Sequence, residues 1–191
     1  KAADYAVEVI EQMADLQNGK IVNINIPQLS KGEPKGVLVV PQSVSGFEEG
    51  NYVVMATQKG VVKKTDLSAY SHPRADGIIA TVIDPGDSLI DAKLTDGSKE
   101  IFLGTKKGLA IRFNEQDVRP MGRVSRGVRG MSLEDDDQVV GMEVLSGAAT
   151  ILTITEHGYG KRTQSSEYRI QGRGGKGIIT IKTSERNGAV V

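Results

Sequence analysis

The 191-residue sequence contains no cysteine and no tryptophan. The first absence excludes disulfides and thiolate zinc sites. No stretch approaches the roughly 20 consecutive apolar residues needed to span a bilayer. No apolar core follows Lys1, so no secretory leader is read there. The two histidines, His72 and His157, stand alone without ligand spacing. There is no excess charge of either sign, with 24 basic against 24 acidic residues. Taken alone, that balance argues against a nucleic-acid partner.

Two features offset these absences. Glycine is abundant, 23 residues with no three-residue period, which in a chain with clear apolar runs predicts tight turns between short strands. Charge is also sorted along the chain. Residues 101–131 carry seven basic and two acidic side chains, residues 132–147 five acidic and no basic, and residues 150–182 six basic and two acidic.

The dominant pattern is a repeat of about fifty residues. Val53-Val54-Met55-Ala56-Thr57-Gln58-Lys59-Gly60-Val61-Val62-Lys63-Lys64 aligns with Ile101-Phe102-Leu103-Gly104-Thr105-Lys106-Lys107-Gly108-Leu109-Ala110-Ile111-Arg112. Both align with Ile151-Leu152-Thr153-Ile154-Thr155-Glu156-His157-Gly158-Tyr159-Gly160-Lys161-Arg162. Each is an apolar run, a Thr, two polar residues, a Gly and a second run ending in a base. This predicts a β-hairpin turning at Gly60, Gly108 and Gly158, which are expected to be equivalent in space. A loop then leads to a second glycine-strand element, read at Gly77, Gly130 and Gly177. An acidic turn (Asp84-Pro85-Gly86-Asp87, then Glu134-Asp135-Asp136-Asp137) leads into a closing strand. Half a unit precedes these in residues 19–50. Four short strands per period is the signature of propeller-like blades. The expected fold is therefore all-β, a partial array with a half blade at 19–50, blades at 51–100 and 101–149 and an incomplete blade at 150–191. Residues 1–18 fall outside the repeat, and Tyr5, Val7, Val9, Ile10, Met13 and Leu16 read as one face of a short helix.

The wording of these units resembles the C-terminal domain family of gyrase A. The likeness is carried by Gln58-Lys59-Gly60-Val61-Val62-Lys63-Lys64-Thr65, by Gly108-Leu109-Ala110-Ile111-Arg112-Phe113 continuing to Val118-Arg119-Pro120-Met121-Gly122-Arg123, and by Gly158-Tyr159-Gly160-Lys161-Arg162-Thr163 with Glu185-Arg186-Asn187-Gly188. The resemblance implies a β-pinwheel whose neighbouring blades exchange strands. It implies a non-catalytic domain of a bacterial, cytoplasmic, nucleoid-associated type II topoisomerase, DNA gyrase. Such a domain bends duplex DNA around a basic rim and biases ATP-dependent strand passage toward negative supercoils. Its partners would be double-stranded DNA, the remainder of gyrase A, and gyrase B. No cofactor or metal is expected in this chain, ATP and Mg serving only the holoenzyme. The family's glycine box has its nearest match in Gln171, Gly172, Arg173, Gly174, Gly175, Lys176 and Gly177.

The phosphate contacts that this resemblance implies would come from recurring cations. The candidates are Lys59, Lys63, Lys64 and Arg74; then Lys106, Lys107, Arg112, Arg119, Arg123, Arg126 and Arg129; then Lys161, Arg162, Arg169, Arg173 and Lys176. They are expected mainly along one outer edge, with the acidic turns elsewhere and solvated. Gly172, Gly174 and Gly177 fit G-x-G-x-x-G, but a dinucleotide site needs a following helix, and Ile178-Ile179-Thr180-Ile181 reads as a strand. No nucleophile–base constellation is present. Two alternatives stay open: a propeller-type protein-interaction scaffold, or the equivalent C-terminal domain of topoisomerase IV.

Overall fold

The computed structural model describes residues 50–72 and 77–191, all within a compact unit that begins at Phe47. The expected helix at the N-terminus, the half blade and Arg74 lie outside the described residues.

The three hairpins form as the repeat predicts. They are β1 (Tyr52–Thr57) with β2 (Val61–Asp66), β4 (Glu100–Thr105) with β5 (Leu109–Asn114), and β8 (Thr150–Ile154) with β9 (Gly160–Gln164), all antiparallel. Gly60, Gly108 and Gly158 occupy the same turn position at φ +79°, +83° and +79°. Their amides donate to Thr57 O, Thr105 O and Thr155 O at 3.0, 3.0 and 2.8 Å. The repeated Thr also steadies the returning strand. Thr57 Oγ1 and Thr105 Oγ1 accept from the amides of Val61 and Leu109, the first residues of β2 and β5.

The remaining strands are β3 (Leu89–Thr95), β6 (Val128–Arg129), β7 (Val139–Leu145) and β10 (Ile178–Ile179). One sheet runs β3-β1-β2-β6, another β10-β5-β4-β7, and β8-β9 pair alone. Thus β6 comes from the second repeat yet completes the first blade, and β10 comes from the third yet completes the second. Neighbouring blades exchange strands, and sequence repeat and blade are out of phase by one element.

The register corrects one detail of the repeat. Val128 pairs with Val62, and Ile178 with Ala110. The glycine equivalent to Gly77 and Gly177 is therefore Gly127, not Gly130, and all three have φ between +81° and +97°. Glycine is required at this position in the two docked elements. A Cβ would lie 2.6 Å from Val62 O at Gly127 and 2.4 Å from Ala110 O at Gly177.

Burial follows from the stacking. In β4, Ile101, Phe102 and Leu103 are buried in succession, because both faces of the sheet are covered. Ile101 and Leu103 pack with Val54, Ala56 and Val62 of the first blade, whereas Phe102 packs with Ile151 and Tyr168 of the third. Phe102 and Tyr168 meet edge to face, ring centroids 4.9 Å apart. Each such side chain contributes about 1.5–3 kcal/mol on burial, so the middle blade is the cement of the array. β8 alternates instead, Ile151 and Thr153 buried, Leu152 and Ile154 exposed.

Candidate nucleic-acid interface

The cations predicted from sequence fall into three structural classes. The first lies at the hairpin turns. Lys59 donates from its amide to Asp87 Oδ1 (2.9 Å) and from Nζ to Pro85 O (3.3 Å). Lys107 repeats both contacts with Asp137 Oδ1 (2.9 Å) and Asp135 O (2.5 Å). This corrects the expected separation of charges. The acidic turns sit directly against these two lysines, and Asp87 and Asp137 cap the hairpin turns instead of standing free in solvent. Asp136, at φ +62°, takes the left-handed position that Gly86 holds in the first unit.

The second class ends the hairpins. Lys63 and Lys64 are 2% and 3% exposed, so neither can meet a phosphate, and both leave the list of DNA contacts. Lys64 Nζ donates to Glu115 O (2.8 Å), lies 3.7 Å from Glu115 Oε2 and sits 5.1 Å over the Tyr52 ring. Arg112, four residues beyond its turn glycine as Lys64 is, donates to Ser165 O (2.7 Å) and Tyr168 O (3.0 Å) and pairs with Glu100 at 2.5 Å. Glu115 and Ser165 begin equivalent 3-10 turns, so one cation in each of the first two blades reaches the start of the same turn in the next. The carboxylate balancing it changes sides. For Lys64 it is Glu115, across the junction. For Arg112 it is Glu100, in its own hairpin where the first blade has Tyr52. Arg162, in the same position of the third hairpin, is exposed and has no partner among the described residues. Lys63 Nζ donates to Ala80 O (2.9 Å) and to Arg123 O. Burial first, and the Arg123 guanidinium second, push its pKa below the ordinary value. Lys161 Nζ repeats the first contact on Thr180 O (3.2 Å).

The third class lies on the loops that cross to the preceding blade. Three basic positions recur fifty residues apart: Arg119 with Arg169, Arg123 with Arg173, and Arg126 with Lys176. These loops run along the preceding hairpin, where Met121 and Gln171 amides donate to Lys64 O and Arg112 O, each at 2.8 Å. The middle pair is partly committed to the fold. Arg123 NH1 donates to Ile79 O (2.8 Å), and Arg173 donates to Asp117 O (2.8 Å) and Arg129 O (3.1 Å). Arg126 pairs with Asp84 at 3.0 Å, both well exposed. Arg119, Arg129, Arg169 and Lys176 are exposed, with no side-chain partner among the described residues, and Lys106 is half-buried, also unpartnered. The glycine-rich stretch at 171–177 turns its backbone toward the second unit. Gly174 N donates to Gly130 O (2.6 Å), and Ser132 donates to Gly175 O and Gly174 O.

A family model described as the DNA gyrase C-terminal domain, beta-propeller, matches residues 51–96, 99–146 and 149–191, one match for each repeat. The chain belongs to the DNA gyrase A C-terminal domain family. It is 45% identical over 184 residues to the gyrase A protein of Haloquadratum walsbyi, covering 95% of this chain and 21% of that protein. It is 49% identical over 148 residues to the gyrase A protein of Salmonella typhimurium, covering 78% and 17%. The chain thus spans about a fifth of the length of these relatives. Among solved structures, the C-terminal domain of DNA topoisomerase IV superposes with a TM-score of 0.72 at 29% identity, covering 77% of this chain and 46% of that one. The DNA gyrase A C-terminal domain superposes with 0.69 at 27%, covering 76% and 48%.

In this gyrase A C-terminal domain the residues that sequence reasoning overlooked are those of the junctions: Glu115, Glu100, Tyr52 and Ser165. Glu115 is wholly buried, and its Oε1 accepts from Thr95 Oγ1 and the Lys99 amide. A lone acid in a polar stretch gave no hint of this. The fifty-residue recurrence of Asp87 and Asp137, by contrast, was a visible signal for the turn caps.

Proposed function

We propose that this chain is a duplex-binding and DNA-bending module of a gyrase, contacting phosphates through its crossing loops without reading sequence. One observation carries the reading: unpartnered or solvent-exposed bases recur at fifty-residue spacing on equivalent loops, at Arg119 and Arg169 and at Arg126 and Lys176. Equivalent cations on successive blades offer a DNA backbone evenly stepped anchors, and anchors that touch only phosphate favour bending over base readout. In the parent enzyme such bending would present a DNA segment to the cleavage core and bias ATP-driven passage toward negative supercoils. This chain would break no bond itself. ATP and Mg would serve the rest of the assembly, the remaining gyrase A and gyrase B, acting on the bacterial nucleoid in the cytoplasm. The box-like stretch 171–177 would act by placing Arg173 and Lys176 beside the duplex.

The likeness to the topoisomerase IV domain supports a second reading, binding with weaker supercoiling bias. Supercoiling assays of the parent enzyme separate the two.

The binding test uses Arg119→Ala, Arg169→Ala and Lys176→Ala together, side chains that hold no other part of the fold. Duplex affinity should fall equally for unrelated sequences, and the log–log salt slope should flatten by about 0.9 per lost phosphate contact, up to about three contacts. Unchanged affinity and slope in a folded variant would remove these loops from the DNA path. If the wild-type chain fails to bind duplex at low salt, a protein-interaction scaffold becomes the better reading.

A further inference from the structure

Lys63 lies outside any DNA path yet touches the loop that carries the second unit's cations. Its aliphatic stem is enclosed, and its ammonium bridges two backbone carbonyls from different repeats, Ala80 O and Arg123 O. Ala80 O also accepts from Tyr70 Oη at 3.2 Å. Around this bridge the two segments lie side by side. Arg123 NH1 reaches Ile79 O, and Arg126 pairs with Asp84. The loop's own turn is closed by Ser125, which donates from its amide (3.2 Å) and hydroxyl (2.6 Å) to Gly122 O. Lys63 is thus the one described group that grips both segments from beneath.

Comparison along the repeat separates this role from simple core filling. The equivalent residue of the middle blade is Ile111, fully buried. There the loop 169–176 is held instead by Gly174 N on Gly130 O, by Ser132 N on Gly175 O and by the Ser132 hydroxyl on Gly174 O. In the loop 119–126 the second of these bonds persists in stretched form, Val82 N on Ser125 O at 3.5 Å, but the residue at the Gly174 position is Val124, 67% exposed, and the Gly174 bond has no counterpart. An ammonium from below stands in for the missing glycine contact. In the third blade Lys161 holds the equivalent of Ala80 O and nothing from a further loop.

We infer that Lys63 is a positioning residue that fixes the basic crossing loop 119–126 against the segment 77–84, and so sets where Arg119, Arg123 and Arg126 stand. Its effect on DNA rests on the duplex-binding reading above; its effect on the loop does not. The test is Lys63→Ile in the full chain, a residue this blade architecture already accepts at position 111. Hydrogen exchange is measured without DNA, followed by duplex titration at several salt concentrations. The Met121 and Ser125 amides should exchange about tenfold faster through local opening, while the Thr180 and Ile181 amides at the next junction keep wild-type rates. Duplex affinity should fall about threefold with a shallower salt slope. Lys63→Arg, which keeps a cationic donor, should recover protection and slope together. Wild-type protection of Met121 and Ser125 in Lys63→Ile overturns the inference. So does equal acceleration at both junctions, which would mark Lys63 as general core. A wild-type chain that ignores duplex sinks the wrapping reading and leaves the exchange rates to decide the role of Lys63.

Discussion

Alanine substitution at the three turn glycines measures the exchanged strand directly. All three have φ near +80°, so each substitution carries the same left-handed penalty, about 1–2 kcal/mol for an L-residue. The loss of glycine's freedom in the unfolded chain is also common to all three and cancels between them. They differ in what lies above. A Cβ at Gly108 would meet Ile181 O at 2.1 Å, one at Gly60 would meet Met131 O at 2.8 Å, and one at Gly158 meets nothing within 4 Å. To admit the methyl at 108, the chain at Ile181 must move by roughly an ångström or more, since real Cβ contacts essentially never fall under 3.0 Å. The amide bonds from Thr180 (2.9 Å) and Ile181 (3.3 Å) to Gly108 O go with it. Losing them costs about 0.5–1.5 kcal/mol each. Gly108→Ala should therefore be less stable than Gly158→Ala by about 1–3 kcal/mol, a melting difference of about 2–12 °C for a domain of this size. Gly60→Ala should fall between. Thermal melts followed by far-ultraviolet circular dichroism give the order, and hydrogen exchange at Thr180 reports whether β10 has come away. Equal destabilisation at 108 and 158 would mean that the third unit's strand does not lie on the second hairpin as described.

Other consequences are as direct. Glu115→Ala should cost about 3–5 kcal/mol, because it leaves Lys64 buried without its counter-charge. Adding Tyr52→Glu, which copies the arrangement of Glu100 beside Arg112, should recover part of that loss in denaturant melts. Asp84→Asn releases Arg126 and should raise duplex affinity at low salt by up to about fivefold, the ceiling for an exposed ion pair; lowered affinity would show that Asp84 serves the loop instead. Asp137→Ala should destabilise by about 0.5–2 kcal/mol, as loss of a helix cap does, with faster exchange of the Lys107 amide as the local signature.

The parts of this architecture that were legible in the sequence are those written locally. A Thr three residues before a Gly, between apolar runs, specifies the hairpin because both its determinants lie within the turn. The fifty-residue period then places all three hairpins. What escaped depends on contacts made across the chain. Gly127 and Gly130 are both candidates for the docking glycine, and only register against Val61 and Val62 distinguishes them. Lys63 and Lys64 look like surface charge in any window of neighbours. Their partners, Arg123 and Glu115, are 60 and 51 residues away. A lysine stem is apolar, and its ammonium is satisfied once exchanged loops close over it with carbonyls. Recurrence was a sound guide to where bases stand but not to which way they face.

The phase difference between repeat and blade also fixes the steps in which such a chain can change length. Each of the first two hairpins is completed by a strand from the following fifty residues, and the two junctions use the same glycine, carbonyl and cation positions. Duplicating or deleting one whole period rejoins elements of the right kind, provided the cut keeps each buried cation with its carboxylate, Lys64 with Glu115 and Arg112 with Glu100. A half-period change would leave a hairpin facing an element of the wrong kind. Size in this architecture is therefore quantised, and the row of exposed crossing-loop bases advances by the same fixed increment each time a period is gained.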